Sequence, residues 1–177
     1  VSENYEEKTE EAFYDWRGVK LYYPSSFEKE VLDSTTLWSG VNSHNDSVYY
    51  LAKANMSCEE SIELIAVPDT LEEYVYDTVN YKYASYESKF GISSDYESQM
   101  SYSGYDFIKR CGTIHCETES ESHDLAYAAY YGIIDFPDYG KNNIPVVWMA
   151  FSEAKDSATE KELELIVDKA AELLNWE

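Results

Sequence analysis

The feature that most constrains the fold is an apolar run near the C-terminus, Ile144 to Phe151, in which apolar and polar residues do not alternate. A strand with one wet face alternates at a period of two, so an unbroken apolar run indicates burial on both faces. A sheet that is buried on both faces needs a covering layer on each side. This segment therefore predicts a central strand in a layered domain.

An amphipathic helix is predicted directly after this strand. Ser157 and Glu160 have the three-residue spacing of a capping box at a helix start. Thr159 and Glu162 offer the same spacing two residues later. The apolar residues that follow form one stripe at helical spacing: Leu163, Ile166, Val167, Ala170, Ala171 and Leu174. We expect this stripe to pack on the sheet and Asp168 to lie on the solvent side of the helix.

Shorter patterns predict the remaining elements. Strands are expected at 16–24, 37–41, 48–55, 62–68, 105–114 and 125–135. The pairs 37–41 with 48–55 and 105–114 with 125–135 are expected to be antiparallel. Residues 25–30 suggest a turn or a short helix, and 69–88 suggest a helix that begins with Asp69 and Glu72. No repeat or linker divides the chain, so we expect an acidic N-terminal linker at 1–12 and one globular domain at 13–177.

Charge and composition exclude several classes of function. The chain has 35 acidic and 13 basic residues and a net charge of −22, whereas binding to nucleic acid or anionic membranes needs clustered Lys and Arg. No apolar stretch is long enough for a transmembrane segment. The sequence begins with Val1 and an acidic lead-in rather than with Met. We expect an extracytoplasmic location and membrane anchoring through a removed N-terminal signal or lipid anchor.

The three cysteines allow several interpretations. Cys58 stands alone, whereas Cys111 and Cys116 flank His115 in a short segment. The thiols are either ordinary packed or free cysteines, or two of them form a disulfide, or the cluster serves metal binding or catalysis. In a strand, Cys111 and Cys116 would point to opposite faces, which disfavours a single site.

No motif identifies a catalytic, cofactor-binding or metal site. His44, His115 and His123 are scattered and are expected to be solvated. No HExxH, GxSxG, Walker-type or GxGxxG pattern occurs, and 135–140 lacks the ligand order of an EF-hand. We therefore predict that the chain is not an enzyme and that it uses no cofactor.

Eighteen tyrosines, many in local groups such as Tyr22–Tyr23 and Tyr49–Tyr50, are the remaining signal. They fit either an aromatic-rich sheet or a recognition surface, since tyrosine offers a large contact area and a hydroxyl at low entropic cost. Exposed tyrosines and Trp38 would suit a carbohydrate-binding surface.

Several short motifs resemble those of Mog1/PsbP-like domains. The strand that ends in Leu21-Tyr22-Tyr23-Pro24-Ser25-Ser26-Phe27 is similar to their YPxxW/F opening. A helix after 69–74, the Ser103-Gly104-Tyr105 approach to a hairpin and the terminal strand and helix ending at Trp176 are similar as well. The resemblance implies an α+β fold in which helices sandwich a mostly antiparallel sheet (α/β/α layers). It also implies an exported lipoprotein of unknown function that binds other proteins, and it transfers no functional residue.

Three functional hypotheses follow. The first is a non-catalytic extracytoplasmic domain that binds a protein or a small ligand at the cell envelope. The second is a carbohydrate-binding module that uses exposed tyrosine and tryptophan. The third is a thiol-dependent enzyme, which would require Cys111 or Cys116 to be reduced, exposed and close to His115 or His123.

Overall fold

The computed structural model describes residues 12–32, 35–56, 89–117, 122–154 and 156–176. These residues form mainly β-sheet. The strands are β1 (Ala12–Trp16), β2 (Val19–Tyr23), β3 (Glu28–Leu32), β4 (Thr35–Val41), β5 (Ser47–Ala54), β6 (Lys89–Tyr102), β7 (Tyr105–Glu117), β8 (Ser122–Phe136) and β9 (Lys141–Ser152). A short 3-10 helix, Pro137–Tyr139, separates β8 from β9, and the α-helix α1 (Ser157–Glu172) follows β9.

Strand β9 lies at the centre of a seven-stranded antiparallel sheet. The strand order is β3–β4–β5–β9–β8–β7–β6, and β1 and β2 form a separate hairpin. Phe151 of β9 is level with Tyr49 of β5 on one side and with Tyr127 of β8 on the other. Residues 144–152 are buried throughout. The prediction of a central strand that is buried on both faces is confirmed.

The predicted α+β fold with helices sandwiching the sheet is wrong. The described residues contain a single α-helix, α1, and it packs on one face of the sheet. The opposite face carries a separate cluster of buried side chains. This cluster contains Leu37, Leu51, Ile114, Cys116, Leu125, Tyr127, Ala129, Tyr131, Val147, Met149 and Phe151.

The layer arrangement was predicted wrongly because the burial of a strand does not identify its neighbours. An unbroken apolar strand shows that both of its faces are covered, but it does not show which elements cover them. On the α1 side, the β1–β2 hairpin shares this role with the helix. Trp16, Val19 and Leu21 of the hairpin are buried in the same cluster as Leu163 and Val167 of α1.

Two tight hairpins are defined by dipeptides ending in glycine. Arg17 and Gly18 have φ values of 52° and 90° and connect β1 to β2. Ser103 and Gly104 have φ values of 54° and 83° and connect β6 to β7. Positive φ at both central residues is typical of two-residue turns whose twist matches the strands. Ser103 and Gly104, expected to lead into the hairpin of β7 and β8, are thus themselves the turn of a β6–β7 hairpin that was not predicted.

The other local predictions have mixed outcomes. The antiparallel pairs at 37–41 with 48–55 and at 105–114 with 125–135 are confirmed as β4–β5 and β7–β8. The turn or helix at 25–30 is wrong beyond residue 27, since β3 begins at Glu28. Strand β6 was not predicted. The predicted linker at 1–12 lies outside the described residues except for Ala12, which is the first residue of β1. The strand at 62–68, the helix at 69–88 and Cys58 lie outside them as well.

Helix α1 is fixed to the sheet by polar contacts as well as by its apolar stripe. Its N-cap is Asp156, which accepts a hydrogen bond from the Thr159 N–H, so the predicted caps at Ser157 and Thr159 are wrong. Lys109 of β7 is 7% exposed and lies 2.9 Å from carboxylate oxygens of both Glu164 and Asp168. Burial disfavours its charge, but the hydrogen bonds to these two carboxylates raise its pKa overall. Asp168 is thus an anchor of the helix and does not lie on its free solvent side.

Candidate functional site

The candidate site is a cleft of about 310 Å³ between α1 and the loops at one end of the sheet. We call it the helix-side cleft. Its walls come from the turn after β2, from the β4–β5 hairpin and from the outer side of α1. The apolar residues that line it are Pro24, Phe27, Val41, Val48, Leu165 and Ile166.

The position of Phe27 depends on a close approach to β4. The Phe27 N–H donates to the Pro24 carbonyl oxygen at 3.0 Å, which closes the turn between β2 and β3. The ring then lies directly on Gly40, where a Cβ atom would overlap it. Gly40 therefore provides the space in which Phe27 forms part of the cleft wall.

The β4–β5 turn is held against the start of α1. Asn42 donates to Thr159 Oγ1 at 3.2 Å, and Ser43 donates to Glu162 Oε1 at 3.4 Å. The Asn42 side-chain oxygen also accepts hydrogen bonds from the backbone N–H groups of His44 and Asp46, each at 2.9 Å. Because these contacts link the turn to the helix, they fix the width of the cleft at this end.

The rim of the helix-side cleft exposes apolar side chains. Leu165 is 60% exposed and Val41 is 55% exposed, and both belong to the small group of large apolar residues that are exposed in the described part of the chain. Leu165 interrupts the otherwise polar outer face of α1. Exposed apolar side chains beside a concave site are typical of interaction surfaces.

A second cleft of about 430 Å³ adjoins the first. We call it the strand-side cleft. It is lined by Ser26, Glu28, Ser39, Gly40, Val41, Ser47 and Tyr49. Ser26 and Val41 line both clefts, so the two sites meet at these residues.

Both clefts have an acidic character. The lining of the helix-side cleft includes Glu162 and that of the strand-side cleft includes Glu28, whereas none of the lining residues that the structure describes is Lys or Arg. The imidazole of His44 lies 3.8 Å from the Glu162 carboxylate. The whole chain carries a net charge of −22, so the surrounding potential has the same sign as these two carboxylates.

The cysteines considered for catalysis are free thiols in poorly reactive surroundings. Cys116 is 1% exposed, and burial raises its pKa to about 11. Cys111 is partly buried, and burial together with Glu164 raises its pKa to about 12. A thiol reacts as the thiolate, so both groups are in their unreactive form at neutral pH. Cys111 and Cys116 face opposite sides of β7, as expected if their segment is a strand, so the alternative of a disulfide between these two is wrong.

The histidines near these thiols are paired with carboxylates. His115 Nδ1 lies 2.6 Å from Asp124, and this hydrogen bond raises the pKa of the imidazole. His123 Nδ1 lies 2.6 Å from Glu153. His123 is also directly opposite Cys116 in the β7–β8 ladder. A thiol, an imidazole and a carboxylate are thus neighbours here, but burial separates the thiol from any substrate in solvent.

The aromatic residues are mostly structural in the part of the chain that is described. Trp38 is fully buried, with the ring centroids of Tyr14, Tyr23 and Tyr50 at 5.4, 5.1 and 5.1 Å. It therefore cannot act as the exposed platform that the carbohydrate-binding hypothesis assigned to it.

Two further properties concern cofactors and membranes. Among the described residues, no group of three His, Cys, Asp or Glu side chains is arranged to hold a metal ion. The one described α-helix, α1, has 16 residues and a charged outer face, which makes it too short and too polar to cross a bilayer.

Comparisons with known proteins identify similar folds only. No family model matches the sequence, and a search of curated proteins finds no match either. The solution structure of cyanobacterial PsbP (CyanoP) from Synechocystis sp. PCC 6803 has a TM-score of 0.54 and 6% identity, over 95% of this chain and 92% of that chain. The crystal structure of PA94, a protein of unknown function from Pseudomonas aeruginosa, has a TM-score of 0.46 and 9% identity, over 93% and 96% of the two chains.

At such low identity a structural likeness concerns the fold and transfers no activity, partner or site. The likeness to CyanoP nevertheless extends over nearly the whole of both chains. The resemblance inferred from the short sequence motifs is confirmed to this extent, although the layer arrangement expected from it is wrong. The chain therefore has a PsbP-like fold.

Proposed function

We propose that this chain is a non-catalytic, extracytoplasmic domain that binds another protein through the helix-side cleft. The observation that carries the proposal is the exposure of Leu165 and Val41 on the rim of an apolar cleft. Burying one such side chain against a partner contributes about 1.5–3 kcal/mol when burial is complete. Two exposed apolar residues next to a preformed cavity therefore provide the energetic centre of a small interface.

The geometry favours a protein over a small molecule. Small-molecule sites usually enclose most of the surface of their ligand. Here Leu165 and Val41 are more than half exposed, so the cleft is open along its rim. A side chain that projects from a larger partner would fill the cleft, while the rest of the partner would cover the exposed rim.

The chemistry of the lining supports a non-catalytic role. Within the described part of the chain, Glu162 is the one acidic side chain that lines the helix-side cleft, and no thiol lines it. General acid–base and nucleophilic catalysis both need a reactive group with a positioned partner. Cys111 and Cys116 do not line either cleft.

The envelope location rests on the resemblance to exported Mog1/PsbP-like domains. Cell fractionation of the complete gene product, combined with external protease after outer-layer disruption, tests it. We expect the domain to be degraded while a cytoplasmic marker is protected. Recovery of the domain with the cytoplasmic marker would contradict the proposed location.

The binding role is tested by selecting peptides from a random phage-displayed library on the immobilised domain. Affinities of the selected peptides are then measured by fluorescence anisotropy for the parent chain, Leu165→Asp and Val31→Asp. Val31 is the matched control, since it is 59% exposed and lines neither cleft. We expect Leu165→Asp to weaken binding at least tenfold and Val31→Asp to leave it unchanged, with circular dichroism showing that both variants are folded. Equal binding to all three proteins, or a selection without saturable binders, would overturn the proposal.

A further inference from the structure

We infer that the partner presents an extended, basic segment that occupies both clefts. In this arrangement an apolar side chain fills the helix-side cleft, the segment crosses over Val41, and a Lys or Arg side chain reaches the strand-side cleft. The inference rests on the proposed function and adds the chemistry and the path of the bound segment.

The path follows from the way the clefts join. Ser26 and Val41 line both cavities, so a chain that leaves the helix-side cleft over Val41 enters the strand-side cleft directly. The two linings also differ in character. The first is formed mainly by apolar side chains, whereas the second is formed mainly by Ser side chains and Glu28, with Tyr49. A segment with an apolar residue followed by polar or charged residues matches this order.

The end of β3 determines where a bound segment crosses between the clefts. Pairing of β3 with β4 begins at Glu28 and Ser39, so Gly40 and Val41 continue beyond the first residue of β3. The Phe27 ring covers Gly40, whereas Val41 is 55% exposed. A segment that crosses over Val41 and reaches into both clefts is therefore extended.

The sign of the charge identifies the kind of segment. Among the described residues, each cleft is lined by one carboxylate, Glu162 or Glu28, and by no Lys or Arg that would neutralise it. No ion pair to Glu28 is present among the described residues. The net charge of −22 adds a long-range field that attracts cationic segments and repels anionic ones. A basic segment is therefore attracted by both carboxylates, which strengthens its binding, whereas an acidic segment is repelled by both.

The test uses the peptides selected from the phage library, together with analogues in which each Lys or Arg is replaced by Ser. Binding is measured for the parent chain, for Glu28→Lys and for Glu172→Lys. Glu172 is the matched control, because it is exposed at the end of α1 and lines neither cleft, and its replacement changes the net charge equally.

We expect Lys or Arg to be enriched beside the apolar anchor in the selected peptides. Glu28→Lys should weaken their binding about fivefold to tenfold, since the change replaces an attraction by a repulsion, and added salt should reduce this difference. Glu172→Lys should change the affinity of the selected peptides less than twofold. The Ser analogues should lose affinity equally for the Glu28→Lys and Glu172→Lys variants.

The two proposals fail in different ways. If Leu165→Asp abolishes binding but Glu28→Lys has no more effect than Glu172→Lys, the extended basic segment is refuted and the helix-side cleft stands. Selected peptides that lack basic residues would refute it in the same way. If Leu165→Asp has no effect either, the proposed function fails and this inference fails with it.

Discussion

Replacement of Gly112 by alanine tests the pairing of the outer strands. Gly112 lies in β7 opposite Ser94, next to the irregularity in β6 between Ser94 and Tyr96. A Cβ atom at Gly112 would overlap the carbonyl oxygen of Ser93. This neighbour is backbone, so the overlap cannot be relieved by the rotation of a flexible side chain. Strand β6 would have to move away from β7.

The expected cost can be worked from the contacts involved. Overpacking of this kind costs about 1–3 kcal/mol. The Ser93 carbonyl also accepts a hydrogen bond from the Tyr127 hydroxyl at 2.9 Å. Tyr127 is 2% exposed, so loss of this bond adds about 1 kcal/mol. We therefore expect Gly112→Ala to lower the free energy of unfolding by about 2–4 kcal/mol, and the Tm by roughly 5–15 °C for a domain of this size.

The measurement is equilibrium unfolding in urea, followed by circular dichroism and by tryptophan fluorescence. Gly91→Ala is the matched control, because Gly91 also lies in a strand and a Cβ atom there would meet nothing within 4 Å. We expect this control to change stability by less than about 1 kcal/mol. The steric reasoning would be refuted if the free energy of unfolding of Gly112→Ala were within about 0.5 kcal/mol of the parent value. It would also be refuted if Gly91→Ala lost as much stability as Gly112→Ala.

Two further predictions concern titrating groups. The pKa of His115 should be above 6.5 in the folded chain and should fall towards that value in Asp124→Asn, as measured by NMR titration. Since the folded pKa is raised, the stabilisation from this pair is full below pH 6.5 and is lost as the pH rises through the folded pKa; an unshifted His115 would contradict the pairing. Cys116, with a pKa of about 11, should react with iodoacetamide at pH 7.4 at least about 100-fold more slowly than in urea-unfolded protein, and His123→Ala should not change the native rate. Rapid labelling of Cys116 in the folded protein that is lost in His123→Ala would contradict this prediction and would support the thiol-dependent enzyme hypothesis.

The sequence predicted the elements whose patterns arise from burial alone. The apolar run at Ile144–Phe151 has no polar interruption, and the apolar stripe of α1 has a clear helical period. Both patterns therefore indicate directly which side chains are buried. The hairpin 37–41 with 48–55 was predictable because its polar connection lies between two apolar segments. The observed cap, Asp156, is one residue before Ser157 and three before Thr159, the two predicted caps, because all three residue types suit this position equally well.

Strand β6 was missed because its residues carry little strand signal. Ser93, Ser94, Asp95 and Glu97 are exposed and polar, and such residues are typical of loops as well as of edge strands. The segment is a strand because it pairs along nearly the whole length of β7, which is a tertiary effect. The same limit explains the layer arrangement, since periodicity does not reveal that the β1–β2 hairpin covers part of the sheet.

The candidate site depended on contacts that the sequence does not display. The sequence analysis did not single out Leu165, although an apolar residue on the polar face of the helix is a signal that could have pointed to the helix-side cleft. Its neighbours Phe27 and Val41 come from distant parts of the chain. The contact of Phe27 with Gly40 and the ion pair of Lys109 with Asp168 also join residues far apart in sequence.

The central position of β9 has a consequence for the order of events during synthesis. Hairpins β4–β5 and β7–β8 can form as they leave the ribosome, because their partners are close in the chain. The two halves of the sheet stay separate until β9 is inserted between β5 and β8. Before that moment, β5 and β8 expose backbone N–H and C=O groups, and such edges pair readily with other chains. Nascent chains that stall before β9 should therefore depend on chaperones, whereas completed chains should not.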